Sequence, residues 1–151
     1  MPHLVRVDIS AAERRIHAVL AHRSDVAGVY LFGSALGLCR PDSDIDVGII
    51  RSRALDIDAN LWEDLGLAEE LADSLGRLDG HPFHVTVLSL RAPFLAFAAL
   101  HFGRAILVHD EDVVTDFVEE VALRYRRDYP RYLAALREIN AAPSEQHVRH
   151  P

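Results

Sequence analysis

Apolar residues recur along this chain in two rhythms, and the switching between them predicts an α/β unit. Ala12, Ile16, Val19 and Leu20 fall at helical spacing behind Ser10-Ala-Ala-Glu13, which has the form of a capping box. A helix is therefore expected over residues 10–22, with His17 and His22 on it. Residues 26–32 are instead a continuous apolar run, β-branched and aromatic in character, closing at Gly33-Ser34. That is the pattern of a buried strand entering a tight turn. A second strand is expected over 44–50, after a polar stretch containing Pro41. Leu61, Leu65, Ala68, Ala72 and Leu75 draw the apolar face of a helix whose other side carries Glu63, Asp64, Glu69, Glu70 and Asp73, with Asp79-Gly80 as its stop.

Phe83, Val85 and Val87 alternate with His84, Thr86 and Leu88, predicting a third strand over 83–88. Pro93 opens a helix expected to run to about Phe102 before Gly103, and a short fourth strand follows over 105–108. From Asp112, the expected N-cap, an amphipathic helix carries Val113, Phe117, Val121 and Tyr125. Pro130 should kink or restart it before 132–139. No repeat, linker or low-complexity block interrupts the series. Residues 1–140 read as one domain with a helical extension over about 112–140, and 141–151 as a flexible tail.

Composition narrows what such a domain can do. With 151 residues, half of them apolar and 26% charged, the chain can bury one core. All sixteen basic residues are Arg. Without Lys there is no Walker-type phosphate loop, no Schiff base and no Lys general base. A net charge of −7 without a basic stripe argues against direct nucleic-acid binding. No apolar run reaches bilayer-spanning length. A single cysteine, Cys39, and the absence of a signal-peptide core fit the cytoplasm.

The chemistry concentrates in Phe32-Gly33-Ser34 and, after a nine-residue spacer, Asp44-Ile45-Asp46-Val47. Side chains alternate across a strand, so Asp44 and Asp46 share a face while Ile45 and Val47 pack on the other. Unpaired, the two carboxylates repel; as hard oxygen ligands they can share Mg²⁺ and thereby hold a nucleoside triphosphate. Gly33 lets the chain turn sharply so that the amides after it face phosphate oxygens, and Ser34 adds a hydroxyl. An acceptor hydroxyl would then attack the α-phosphorus and pyrophosphate would leave. An Asp-x-Asp alone is common on surfaces; its placement after an apolar strand and a Gly-Ser turn is what gives it meaning. His81, His84 and Cys39 lack the spacing of a zinc site, with Pro82 between the histidines. Arg104 and His109 have a ribonuclease-like spacing but fall across a strand, the cluster from Arg124 to Arg127 reads as a solvated helix face, and Asp79 reads as a turn residue.

At these residues the sequence resembles the minimal nucleotidyltransferases of the DNA polymerase β superfamily, whose pattern is Gly-Ser, a spacer, then two Asp residues separated by one apolar residue. The resemblance covers residues 26–50 and, in the order of elements, continues to about 109. It implies a nucleotidyltransferase fold, a small mixed sheet flanked by helices, and transfer of AMP from ATP to a hydroxyl. Small prokaryotic members often act as antitoxins that adenylylate a partner HEPN ribonuclease toxin. By this resemblance Asp44 and Asp46 are catalytic and bind the metal, Mg²⁺ with Mn²⁺ as the other candidate. Gly33, Ser34, Arg40 and Ser43 bind nucleotide. The pattern departs at His84, which stands where the family has its third metal-binding carboxylate; a neutral imidazole is a softer ligand and carries no negative charge. The spacer is also one residue short and lacks a basic residue before Gly37, leaving Arg40 as the nearest cation. The other reading is a catalytically silent member that neutralises a toxin by binding alone. Oligomeric state stays open.

Overall fold

The computed structural model of the chain describes residues 3–56 and 60–149, with side chains as far as residue 140. Seven strands and four α-helices lie among them: β1 Val5–Arg6, α1 Ile9–Leu20, β2 Val26–Phe32, β3 Leu38–Cys39, β4 Ile45–Arg51, α2 Leu61–Leu75, β5 Arg77–Leu78, β6 His81–Val87, α3 Pro93–Phe102, β7 Arg104–Val108 and α4 Glu111–Arg149. The main sheet has the order β5-β6-β4-β2-β7. β2 runs antiparallel to β4 and β7, and β4 runs parallel to β6. A parallel pair needs a crossover, and α2 supplies it.

Both faces of the sheet are covered, which is why β2 and β4 read as nearly unbroken apolar runs. Val29, Leu31, Ile45, Val47, Ile49 and Val85 pack with Ile16 and Leu20 of α1 and with Leu67, Leu71 and Leu75 of α2. Ala27, Ile50 and Leu88 pack on the other face with Ala96 and Ala99 of α3 and with Val114, Phe117 and Val121 of α4. Each large side chain removed from water contributes about 1.5–3 kcal/mol, so α2 is fixed chiefly by its three leucines. Alternation along β4 and β6 sends Asp46 and His84 to the α3–α4 face, opposite the α1–α2 core.

Several helix ends differ from expectation. Asp8, not Ser10, caps α1, its Oδ1 accepting from the Ala11 N–H at 3.1 Å. Asp110, not Asp112, caps α4 through the Val113 N–H at 3.2 Å. In both, an aspartate just upstream satisfies a first-turn amide before the expected cap is reached. α2 ends at Gly76, which turns the chain with φ +71, so Asp79-Gly80 instead forms the tip of the β5–β6 hairpin. α4 passes through Pro130 without interruption, because the carbonyl that proline leaves unpaired lies on an exposed stretch where water can satisfy it. The backbone of α4 continues to Arg149 where a tail was expected from 141; residues 150–151 lie outside the described residues. Tyr125 does not belong to a solvated face: it stacks on Phe97 with centroids 3.8 Å apart. No helix among the described residues is long and apolar enough to cross a membrane.

Candidate active site

β2 delivers Gly33 to the end of the sheet with φ +85 and ψ −165, a conformation essentially reserved to glycine. The chain then makes a single 3₁₀ turn over Ser34–Leu36, with Ser34 exposed at its head. β3 pairs with β1 in the register Val5↔Cys39, which ties the spacer to the N-terminal strand and buries Cys39 in the core. The spacer thus returns to β4 along a fixed path.

β4 places Asp46 directly across from Phe32 of β2 and beside His84 of β6. Its carboxylate is shared between two neighbours. Oδ2 stands over the Gly33 backbone so closely that any Cβ there would collide with it, and Oδ1 lies 3.2 Å from His84 Nδ1. An ionised carboxylate only accepts, so Nδ1 is the donor in this contact. Burial pushes the Asp46 carboxyl above the ordinary carboxylate range; the hydrogen bond and charge of His84 oppose that, and the negative charge of Asp44 adds to it. With 26% of its side chain exposed, Asp46 is desolvated yet open on one side. Asp44 is exposed, one residue before β4.

The other expected site residues divide. Ser43 uses its hydroxyl to accept from the Arg40 N–H at 3.0 Å, and its carbonyl accepts from His81 Nδ1 at 2.8 Å. The Arg40 guanidinium is exposed and leans on Asp42, with Nε 3.3 Å from Oδ1. His81 is only 4% exposed, so it acts as a buried post beneath the residue that precedes Asp44. Sequence reading set His81 aside with the rejected zinc site, although the parallel register Ile45↔Phe83, carried back two residues, already puts it beside Ser43. Arg104 and His109 are structural: Arg104 pairs with Glu13 at 2.9 Å, and His109 Nε2 is 3.1 Å from the Leu20 carbonyl at the end of α1.

Among the described residues, no three His, Cys, Asp or Glu side chains form a group able to hold a metal alone. The donor set fits a cation only as one shared with a ligand. Two carboxylates supply hard oxygens, and the missing Cβ at Gly33 is what leaves the Asp46 carboxylate room against the turn.

A family model described as polymerase beta, nucleotidyltransferase, matches residues 14–112. No curated protein matches the chain. Among solved structures, a chain in the complex of the tri-AMPylated Shewanella oneidensis HEPN toxin with MNT antitoxin superposes with a TM-score of 0.55 at 19% identity, over 86% of this chain and 97% of that one. The toxin–antitoxin MntA–HepT gives the same TM-score, identity and coverage. A toxin–antitoxin structure with AMP-PNP gives 0.55 and 19%, over 84% and 97%. At this identity the likeness establishes the fold.

Proposed function

The chain belongs to the polymerase beta nucleotidyltransferase family, and we propose that within it this protein transfers AMP from ATP to a hydroxyl of a partner protein, as the antitoxin of a HEPN-type toxin. The observation that carries the reading is the Asp46 carboxylate, whose Oδ2 takes a position over the Gly33 backbone that only a glycine leaves free for it. The solved relatives support the partner class, since one contains a tri-AMPylated HEPN toxin with its MNT antitoxin and another contains AMP-PNP.

The triphosphate would lie across the Gly33-Ser34 turn, its oxygens meeting the turn amides and the Ser34 hydroxyl. Arg40 can join it at little cost, because an exposed ion pair such as Arg40–Asp42 is worth about 0–1 kcal/mol. Ser43 serves by fixing the loop, through its bonds to Arg40 and His81. Asp44 and Asp46 would hold a divalent cation, Mg²⁺ or Mn²⁺, that neutralises phosphate charge. The acceptor oxygen forms a bond to the α-phosphorus as the bridging P–O bond breaks, and pyrophosphate leaves. In its neutral form His84, whose ring Asp46 orients through Nδ1, would take the acceptor's proton at Nε2. His84 thereby does by proton acceptance what a third carboxylate would do by charge. The retained Asp44, Asp46 and Gly33 favour transfer over silent binding. With a free thiol at Cys39 and ATP as substrate, the cytoplasm is the fitting compartment.

Incubation with labelled ATP and the product of the neighbouring gene should label that product. Unchanged labelling by an Asp44→Ala plus Asp46→Ala variant would sink the assignment.

A further inference from the structure

We propose that the free edge of β6 docks the acceptor protein, which adds an extended segment to the sheet and so brings its hydroxyl to His84. This inference rests on the reading of the chain as a protein-modifying nucleotidyltransferase. β5 pairs only with His81 and Pro82, so among the described residues β6 has a strand partner on one side alone from His84 onward. Backbone direction along the strand follows from two bonds. Leu88 N–H donates inward to the Ile49 carbonyl at 2.8 Å, whereas Phe83 N–H donates outward to the Gly76 carbonyl at 3.0 Å. By alternation the N–H and C=O groups of Val85 and Val87 point away from the sheet.

That edge forms the floor of a groove of about 300 Å³, walled by Leu61, Leu65 and Ala68 of α2 on one side and by Leu95 of α3 on the other. Leu61, Leu65 and Leu95 are each about half exposed. Proteins ordinarily protect a free edge with a charge, a proline or a covering element. Here the outward backbone belongs to two valines whose side chains pack in the core, and the walls are mainly leucine with Asp64 and Arg91 among the lining residues, so apolar pockets for alternate side chains flank the edge.

The occupant follows from where the groove leads. His84 lines it and also bonds Asp46, so the groove ends at the imidazole that stands next to that carboxylate. A segment lying along 84–87 covers about 10 Å at 3.3 Å per residue, enough for four residues. Its apolar side chains would alternate against the α2 wall, with the hydroxyl-bearing residue at the His84 end. A small-molecule acceptor would have no use for a strand edge, and nucleic acid would meet apolar walls on a chain of net charge −7. A second copy pairing edge to edge would seal His84 off.

The test uses the full chain and the neighbouring gene's product. Leu65→Glu with Leu95→Glu puts charge into both walls at exposed positions, so folding should survive; Val87→Pro, whose lost N–H faces outward, attacks the edge itself. Binding measured by calorimetry should weaken tenfold or more in the double Glu variant. The acceptor KM should rise in parallel, with kcat and the Kd for ATP within twofold of wild type. Amide exchange at Val85 and Val87 should slow when the partner binds. Transfer at an unchanged acceptor KM, no binding by wild type, a weakened Kd for ATP, or a wild-type dimer that the Glu substitutions dissolve would each overturn the docking site. Groove-dependent binding with no transfer by wild type would support the docking site while refuting the enzymatic reading.

Discussion

Gly33→Ala strikes the site where it is tightest, and two separable costs should result. The backbone cost comes from φ +85 with ψ −165, where a residue with a Cβ is strained by about 1–3 kcal/mol. In a chain of this length each kcal/mol lowers Tm by roughly 2–4 °C, so the backbone alone should cost about 2–12 °C. The second cost is collision: the new Cβ lands on Asp46 Oδ2 and forces the carboxylate to swing away or the turn to shift. Either movement disturbs the bond from His84 Nδ1 to Oδ1 and closes the space that a cation and phosphate would share. A double-mutant cycle separates the two. In an Asp46→Ala background there is no carboxylate to hit, and Gly33→Ala should cost only the backbone share, leaving a coupling of about 0.5–3 kcal/mol between the sites. Denaturant unfolding of the four proteins, with calorimetric titration of ATP and Mg²⁺, provides the measurement. A coupling of zero would mean that the carboxylate does not stand over Gly33, and the site as drawn would be wrong.

Three further outcomes follow from the same geometry. His81→Leu removes the ring donor with little change of volume and orphans the part-buried Ser43 carbonyl, so stability should fall by about 1–3 kcal/mol in denaturant unfolding. Transfer assayed well below Tm should also fall because Asp44 is less well placed; an unaltered unfolding curve counts against the post. Asp46→Asn should stabilise the ligand-free protein at neutral pH, with Tm up by about 1–4 °C, while ending transfer. The folded-state pKa of Asp46 is raised, so its ionisation opposes folding above that pKa; the difference between wild type and variant should vanish as pH drops below the unfolded carboxylate value of about 3.9. A gap that persists in acid refutes it. Arg51→Met removes the partner that Asp64 holds at 2.6 Å in a site where the two side chains are 19% and 14% exposed, and should cost about 2–3 kcal/mol. Adding Asp64→Leu should recover most of the loss in thermal melts, and failure to recover would show that the pair is not what the substitution broke.

The elements with long periodic signals were legible from sequence, and those set by competition among neighbours were not. α2 and α3 lie at the positions their apolar spacing and the Pro93 start predict, and β2 occupies the apolar run before Gly33. Caps failed because Asp8 and Asp110 each reach a first-turn amide that the expected cap would have served, a choice settled by loop geometry. β1 and β3 are two residues each and owe their pairing to the fold around them, so no periodicity could announce them. In the site, Asp46 and His84 were recognisable because strand alternation and motif order are local properties. The shared use of the Asp46 carboxylate was not, since it depends on β2, β4 and β6 arriving side by side.

His84 gains a different meaning from that arrangement. Read along the sequence, it is a missing carboxylate and therefore a loss of negative charge. In the fold, it is the one neighbour whose hydrogen bond and charge oppose the upward push that burial and Asp44 exert on Asp46. A third carboxylate in its place would add repulsion to a pair that is already strained and would leave Asp46 Oδ1 without this donor. The substitution therefore removes an anionic ligand and at the same time lowers the charge that a cation must neutralise. It also leaves an imidazole nitrogen, 61% of its side chain exposed, facing the groove through which a hydroxyl would arrive. The absence of Lys fits the same proposal: with two carboxylates instead of three, less positive charge would be needed, and backbone amides, the exposed Arg40 and a shared cation would be the groups to supply it.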